Sequence, residues 1–242
     1  MSAAGAGEPV EQGRRVEPAE PVAEVAEVAE VAEVEPPEER LARRLDERAA
    51  AGHPMAGRVS GLLHRLGALD RSAYVAVARL STPALDEPLS RLSHFANHSK
   101  PWFLTAAALG LLGGPTGRRG ARAGVVAIGA ASLVVNQPMK LAGNRDRPDR
   151  EGHRVPEARW VPMPTSTSFP SGHSASALAF AVAVGDVVPA LRWPLRAAGA
   201  TVAFSRIYTG VHYPGDVLVG AATGALLGRL VGRGSARRQA RR

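Results

Sequence analysis

The chain has 242 residues, 45% hydrophobic but only 5% aromatic, with a formal net charge of +8 and no cysteine. That length suits one ordinary domain plus a tail, and the composition suits a helical core built on small residues. The lack of cysteine excludes disulfides, thiolate metal sites and a cysteine nucleophile, and the basic balance does not read as nucleic-acid binding, because many of the arginines fall between apolar segments rather than along one helix face beside aromatics.

The charge is unevenly divided. Residues 1–50 hold 13 acidic and 6 basic residues, net −7, whereas residues 51–242 carry net +15. The N-terminus, MSAAGAGEPVEQG, has neither a basic region nor an apolar one, so no cleavable signal peptide is expected. Residues 23–34 repeat Ala-Glu-Val four times and lead into EPPEE at 35–39. A period of three drifts around a 3.6-residue helix and builds no fixed apolar face, so residues 1–55 are expected to be a disordered acidic tail. Residues 59–80 and a shorter piece near 84–96 mix apolar and charged residues at near-helical spacing, which predicts helices lying at an interface rather than spanning it.

From Pro101 the character changes. Apolar stretches run over about 101–114, 121–142, 173–188, 194–210 and 216–232, rich in Gly, Ala and Val, with short links bearing Arg or Pro. Several fall short of the roughly 20 residues that a perpendicular span needs. Together they predict an all-α fold, a helical membrane bundle of about five apolar helices packed through small residues. Pro101 and Pro194 are expected in first helical turns, where a missing N–H costs nothing. The expected domain covers 56–232, and 233–242 form a basic C-terminal tail. The links at 114–122 and 189–196 and that tail are rich in arginine, which by the positive-inside rule places them in the cytoplasm.

Three polar islands interrupt the apolar half. Lys140 and Arg147 close the second stretch, Pro170 to His173 open the third, and Ser205, Arg206, His212 and Asp216 lie around the turn between the fourth and fifth. Cations there can simply anchor helix ends, and a histidine can cap one. In an antiparallel bundle, however, all three islands emerge on one rim. That set of side chains suits a phosphate monoester or diphosphate. Guanidinium groups bind phosphoryl oxygens in pairs, Lys140 adds a point charge, and the N–H groups of a helix beginning at Ser171-Gly172-His173 add neutral donors. Of two imidazoles, one can attack phosphorus while the other protonates the leaving oxygen. Asp216, four residues after His212, is placed to hold a nucleophilic ring by its far nitrogen.

These residues resemble the three-part signature of the type 2 phosphatidic acid phosphatase and vanadium haloperoxidase superfamily. Lys140-(six residues)-Arg147-Pro148, Pro170-Ser171-Gly172-His173 and Ser205-Arg206-(five residues)-His212-(three residues)-Asp216 fill every fixed position, over a region of roughly 70–232. The resemblance implies a helical bundle and hydrolysis of a phosphate ester through a phosphohistidine, without metal or other cofactor. His212 would be the nucleophile, Asp216 its orienter and His173 the general acid, with Lys140, Arg147, Ser171, Gly172 and Arg206 binding phosphate. One departure stands out: membrane members often carry six spanning helices with the first signature at the end of the third, whereas two apolar stretches precede Lys140 here. The expected partners are the bilayer and a lipid phosphate (phosphatidic acid, phosphatidylglycerol phosphate, or a polyprenyl phosphate or diphosphate), not nucleic acid. The expected location is a multi-pass cell-membrane protein with its site on the extracytoplasmic face. A vanadate-dependent haloperoxidase and a non-catalytic protein binding anionic lipid headgroups are the alternatives.

Overall fold

The apolar stretches fold as α4 (Lys100–Leu112), α5 (Gly114–Val134), α7 (Gly172–Val187), α8 (Arg192–Tyr208) and α9 (Pro214–Ala240), with α1 (Pro37–Ala50), α2 (Pro54–Ala78) and α3 (Pro83–Phe95) before them and the short α6 (Lys140–Gly143) after α5. This computed structural model describes residues 37–240, which contain no strand. Prolines start many of the helices, at N1 or N2 of α2, α3, α4 and α5 and as the first residue of α9. Pro supplies a helical φ there and loses no hydrogen bond.

Three boundaries differ from those expected, and the first is that α5 begins at Gly114 and takes in the expected arginine-rich link at 114–122, since Pro115 sits in its first turn and Arg and Ala are good helix formers. Residues 37–50, counted with a tail ending at 55, form α1, because Ala42, Leu45 and Ala49 recur on one helical face that the Glu/Pro-rich composition obscured. Asp46 of α1 pairs with Ser60 and lies 3.3 Å from His64 Nε2, tying α1 to α2. At the other end α9 continues through residues assigned to the basic tail, since Arg, Gln and Ala are good helix formers. The Ala-Glu-Val repeats lie outside the described residues.

Helix α7 is the axis of the bundle. Its sequence is apolar on every face, and it is buried almost throughout from Ser174 to Val187. One side packs Phe180 and Val184 against Trp102 of α4, Ile128 of α5 and Val202 of α8, and the other packs Ala175, Ala179 and Ala183 against α5 and α9. Glycines on α9 make this contact unusually close. A Cβ at Gly220, Gly224 or Gly228 would lie 2.4, 2.0 or 2.4 Å from the carbonyl oxygens of Ser171, Ala175 and Ala179. Both series advance by four residues, so α7 and α9 run parallel with their first turns side by side. Gly199 of α8 faces Ala177 and Gly185 faces Arg192, while Gly120 of α5 meets Val188 and Val184, so α5 and α8 run the opposite way.

The end of α5 is not regular. Residues Val135–Met139 form a π-helical turn containing Pro138, whose ring cannot donate to the helical ladder. The wider turn absorbs that loss and leads directly into Lys140. On the outer surface, Leu111, Leu112 and Leu141 are more than 80% exposed, and Leu133, Leu218, Leu226 and Leu230 also face outward. Leucine at that exposure, repeated across helices, is the kind of surface that meets a membrane or a partner rather than water. Among the described residues, two helical segments, Gly114–Gly143 and Pro214–Arg237, are long and apolar enough to cross a bilayer.

Candidate active site

The parallel pairing of α7 and α9 puts the first turn of each beside the other, and both lie where α5 and α8 end. Ser171 caps α7, accepting from Ser174 N, and its own N–H donates 3.0 Å to Asp216 O in the first turn of α9. The N–H groups of Gly172 and His173 have no carbonyl within the helix to receive them, which leaves them for a ligand. Gly172 is half-buried beside Asn136 Oδ1, which a Cβ there would approach to 3.1 Å.

His212 lies in the α8–α9 turn, 2% exposed. Its Nε2 is 3.3 Å from Arg147 Nη1, a group that can only donate, so Nε2 presents its lone pair. The proton therefore sits on Nδ1, which faces Asp216 Oδ2 at 3.5 Å and Ser168 Oγ at 3.4 Å. Ser168 also makes a short hydrogen bond to the same carboxylate oxygen. The serine thus bridges ring and carboxylate, which are otherwise slightly too far apart for a good direct bond. Burial pushes His212 down to about 4, opposed by its hydrogen bond to Asp216 and reinforced by the charges of Arg147 and Arg206. At neutral pH the ring is uncharged and its outer nitrogen is available for attack.

Asp216 is fully buried and heavily bonded. Tyr213 N donates to Oδ2 at 2.9 Å and Arg145 Nη1 to Oδ1 at 3.0 Å. Arg145 also pairs with Asp70 of α2 at 2.8 Å, and Asp70 Oδ1 accepts from Gly215 N at 2.6 Å. Asp70 therefore fixes the start of α9 both through the backbone and through Arg145.

Arg147 is clamped by carbonyls. It donates to Ser166 O at 2.9 Å, Val211 O at 2.7 Å and Thr167 O at 3.2 Å. Lys140 Nζ donates 2.7 Å to Ser166 Oγ, which Arg147 Nη2 reaches at 3.4 Å, so both cations of the first island meet one serine. Burial lowers Arg147 to about 10, opposed by Asp216, and it remains a cation at neutral pH. Arg206, at the end of α8, is 1% exposed; its Nη1 donates to Ser93 Oγ at 2.6 Å and approaches Ser93 O at 3.3 Å, while its buried Nε has no partner. That nitrogen is a donor with no acceptor from the protein, of the kind that a phosphoryl oxygen can meet.

His173, half-buried in the first turn of α7, has its Nε2 2.9 Å from Asn97 Oδ1. Asn97 is held by an unusual bend, since His98 and Ser99 both take left-handed backbone angles (φ 56° and 58°) between α3 and α4. Strain of this kind, roughly 1–3 kcal/mol per residue, survives where surrounding contacts impose it.

The structure thus brings Lys140, Arg147, Ser171, His212 and Asp216 into one bonded cluster, with Arg206 close enough to act on His212. His173 and Gly172 stand at the neighbouring helix start. The network also uses residues that sequence reasoning did not single out: Ser168, Ser166, Arg145, Asp70, Asn97 and Ser93. Only Arg145 carried a usable signal, as a second arginine two positions before Arg147. Among the described residues, no group of three or more His, Asp or Glu side chains is gathered as metal ligands.

Residues 122–239 match the family model of the PAP2 superfamily. The chain is 38% identical over 136 residues to the decaprenylphosphoryl-5-phosphoribose phosphatase of Mycolicibacterium smegmatis, covering 53% of this chain and 67% of that one. To the protein of the same name from Mycobacterium tuberculosis it is 34% identical over 154 residues, covering 61% and 78%. Its fold is similar to that of a transmembrane PAP2-type phosphatidylglycerolphosphate phosphatase from Bacillus subtilis, with a TM-score of 0.57 at 21% identity, over 83% of this chain and 96% of the other. The three polar islands, the helices that bring them together and the extent of these matches lead to one conclusion: the chain belongs to the PAP2 superfamily.

Proposed function

We propose that this protein is a membrane lipid phosphatase acting on a phosphate monoester or diphosphate of a polyprenyl lipid, through a phosphohistidine formed on His212. The observation that carries the reading is the polarity of His212: Nδ1 faces Ser168 and Asp216, and Nε2 faces the guanidinium of Arg147. In the first step Nε2 attacks phosphorus and the P–O bond to the lipid breaks. In the bound complex His173 acts as the imidazolium: its Nε2–H stays donated to Asn97 Oδ1 while its Nδ1 proton goes to the leaving oxygen, which leaves the ring neutral. Asp216, through Ser168 and directly, stabilises the charge that develops on the His212 ring. Lys140, Arg147 and Arg206, with the α7 N–H groups of Gly172 and His173 behind the Ser171 cap, hold the phosphoryl oxygens as negative charge spreads over them. In the second step water attacks the phosphohistidine, His173 takes a proton from it, and phosphate leaves with His212 restored.

The polyprenyl assignment is supported by the names of the two mycobacterial relatives, and the lipid requirement by the leucine-covered outer surface. The catalytic domain is assigned to 56–232, since α2 and α3 contribute Asp70 and Ser93, with α1 packed onto it. The site lies at the end of the bundle away from Arg192, Arg196, Arg229 and Arg233, and so on the extracytoplasmic face. A reporter enzyme fused to the C-terminus is then expected to be active only in the cytoplasm; activity confined to the outside overturns that placement. The direct test of function is phosphate release from a panel of lipid phosphates in detergent with EDTA present. The parent is expected to be active and inhibited by vanadate, and His212→Ala to lose on the order of 10⁴-fold or more in kcat. Activity abolished by EDTA, or surviving in His212→Ala, overturns the mechanism.

A further inference from the structure

At the opposite end of the bundle, the last turn of α7, the first turns of α8 and the C-terminal part of α9 border an open cavity of about 330 Å³ lined by Asp186, Arg192, Trp193, Arg196, Arg229 and Arg233. Four arginines therefore line a cavity that holds one carboxylate. That carboxylate does little to neutralise them, since Asp186 Oδ1 is 4.0 Å from Arg196 Nη2, at the limit of an ion pair. Nε of Arg192 and Nε of Arg196 are both buried with no hydrogen-bond partner among the described residues. Arg206 also has an unpartnered Nε, but its side chain is fully buried whereas those of Arg192 and Arg196 are part-exposed. A buried donor on a cation is costly to leave unmet, and the natural acceptor for paired guanidinium groups is a phosphate-type anion.

The position of the cavity narrows the source of that anion. α7 alone spans 16 residues from Gly172 to Val187, about 24 Å at 1.5 Å per residue, so the cavity cannot share a ligand with the catalytic end. It opens where the apolar helices finish, and Trp193, 72% exposed, stands at its edge with Arg196 over the ring at 5.4 Å. An exposed tryptophan beside arginines at a helix end is the arrangement that meets lipid headgroups. We infer that this cavity binds the phosphodiester headgroup of an anionic membrane lipid, as a site separate from the catalytic one. The lipid source rests on reading the bundle as membrane-spanning; the chemistry of the site stands on the arginines alone.

The test uses the full-length protein, delipidated in neutral detergent and titrated with phosphatidylglycerol, phosphatidylcholine or inorganic phosphate, with retained ligand read by native mass spectrometry. Phosphatidylglycerol carries a phosphodiester and no monoester, which separates this site from turnover. The parent is expected to hold phosphatidylglycerol about tenfold more tightly than phosphatidylcholine. Arg192→Gln/Arg196→Gln is expected to lose that preference while keeping the parent's kcat and KM in detergent. Equal retention of the two lipids by the parent, or a preference that survives in the double variant, overturns the site. Displacement of phosphatidylglycerol by an equal concentration of inorganic phosphate overturns the lipid assignment. Should the Gln pair misfold, Arg192→Lys/Arg196→Lys decides the matter: retention reduced several-fold supports paired guanidinium binding, and unchanged retention overturns it. Loss of phosphatase activity in the parent itself would count against the proposed function and leave the lipid result standing.

Discussion

The two ends of α7, α8 and α9 are both rich in arginine, and they differ in how the arginines are held. At the catalytic end Arg147 is clamped by three carbonyls, Arg145 lies between two carboxylates, and Arg206 is fixed by Ser93. At the far end Arg229 and Arg233 are exposed and Asp186 is a distant counter-ion. The contrast separates the site proposed for catalysis from the one proposed for headgroup binding. A transition state gains from donors already fixed where charge will develop, whereas a headgroup can be met by long side chains that adjust around it.

The largest expected effect breaks the catalytic end at its orienting carboxylate. Asp216→Asn keeps the shape but removes the negative charge and replaces one of the two acceptor oxygens with an NH2 donor, and should lower kcat by about 10³- to 10⁴-fold; near-parental turnover would show that Ser168 alone orients the ring. Next comes the stitch that joins the two helix starts. Gly224→Ala forces a Cβ to within 2.0 Å of Ala175 O, and a loss of about 1–3 kcal/mol, seen as a lower Tm in detergent, is expected. Gly129→Ala, with nothing within 4 Å, is the matched control and should leave Tm unchanged or slightly raised.

A smaller effect tests how far the rigid end extends. Asp70→Asn removes one charge from the Asp70–Arg145–Asp216 chain and is expected to lower kcat about tenfold with little change in KM, since Asp70 touches no substrate. Asp70→Glu should restore part of the loss, and a change confined to KM would contradict the positioning role. The smallest effect near neutrality is that of pH. His212 is held at about 4 against an ordinary 6.5, so the fold favours its neutral form. Its contribution to stability is present above about 6.5 and is lost as pH falls towards 4. Corrected for the titrations of the substrate and of the acid His173, the limb of kcat/KM that His212 sets should fall about tenfold per unit below about pH 4; a His212 limb near 6.5 would mean that His212 is solvated.

Much of the candidate site was readable because its titratable side chains are concentrated at helix boundaries. Lys140, Arg147, His173, Arg206, His212 and Asp216 are polar residues in an apolar half, and each interrupts a pattern that otherwise favours small hydrophobic side chains. The supporting residues were hidden for the opposite reason. Ser168, Ser166, Ser93 and Asn97 are ordinary loop or helix-end side chains by composition, and Asp70 looks like the polar face of an interfacial helix. α1 was hidden as well, because its face of Ala42, Leu45 and Ala49 is short and sits among glutamates and arginines that dominate any average.

The sequence alone determined that the chain is helical, roughly where the apolar helices lie, with α5 and α9 each longer at one end than their apolar stretches, and which titratable side chains stand near their ends. Local periodicity and proline placement suffice for that, since they act between neighbours along the chain. Only the tertiary structure decided that α7 and α9 run in parallel, that Ser168 mediates between His212 and Asp216, that an α2 carboxylate anchors the start of α9, and that four arginines line an open cavity at the far end. Those contacts join residues up to 145 positions apart, and they depend on how closely the glycine face of α9 lets two backbones approach, which no single segment contains.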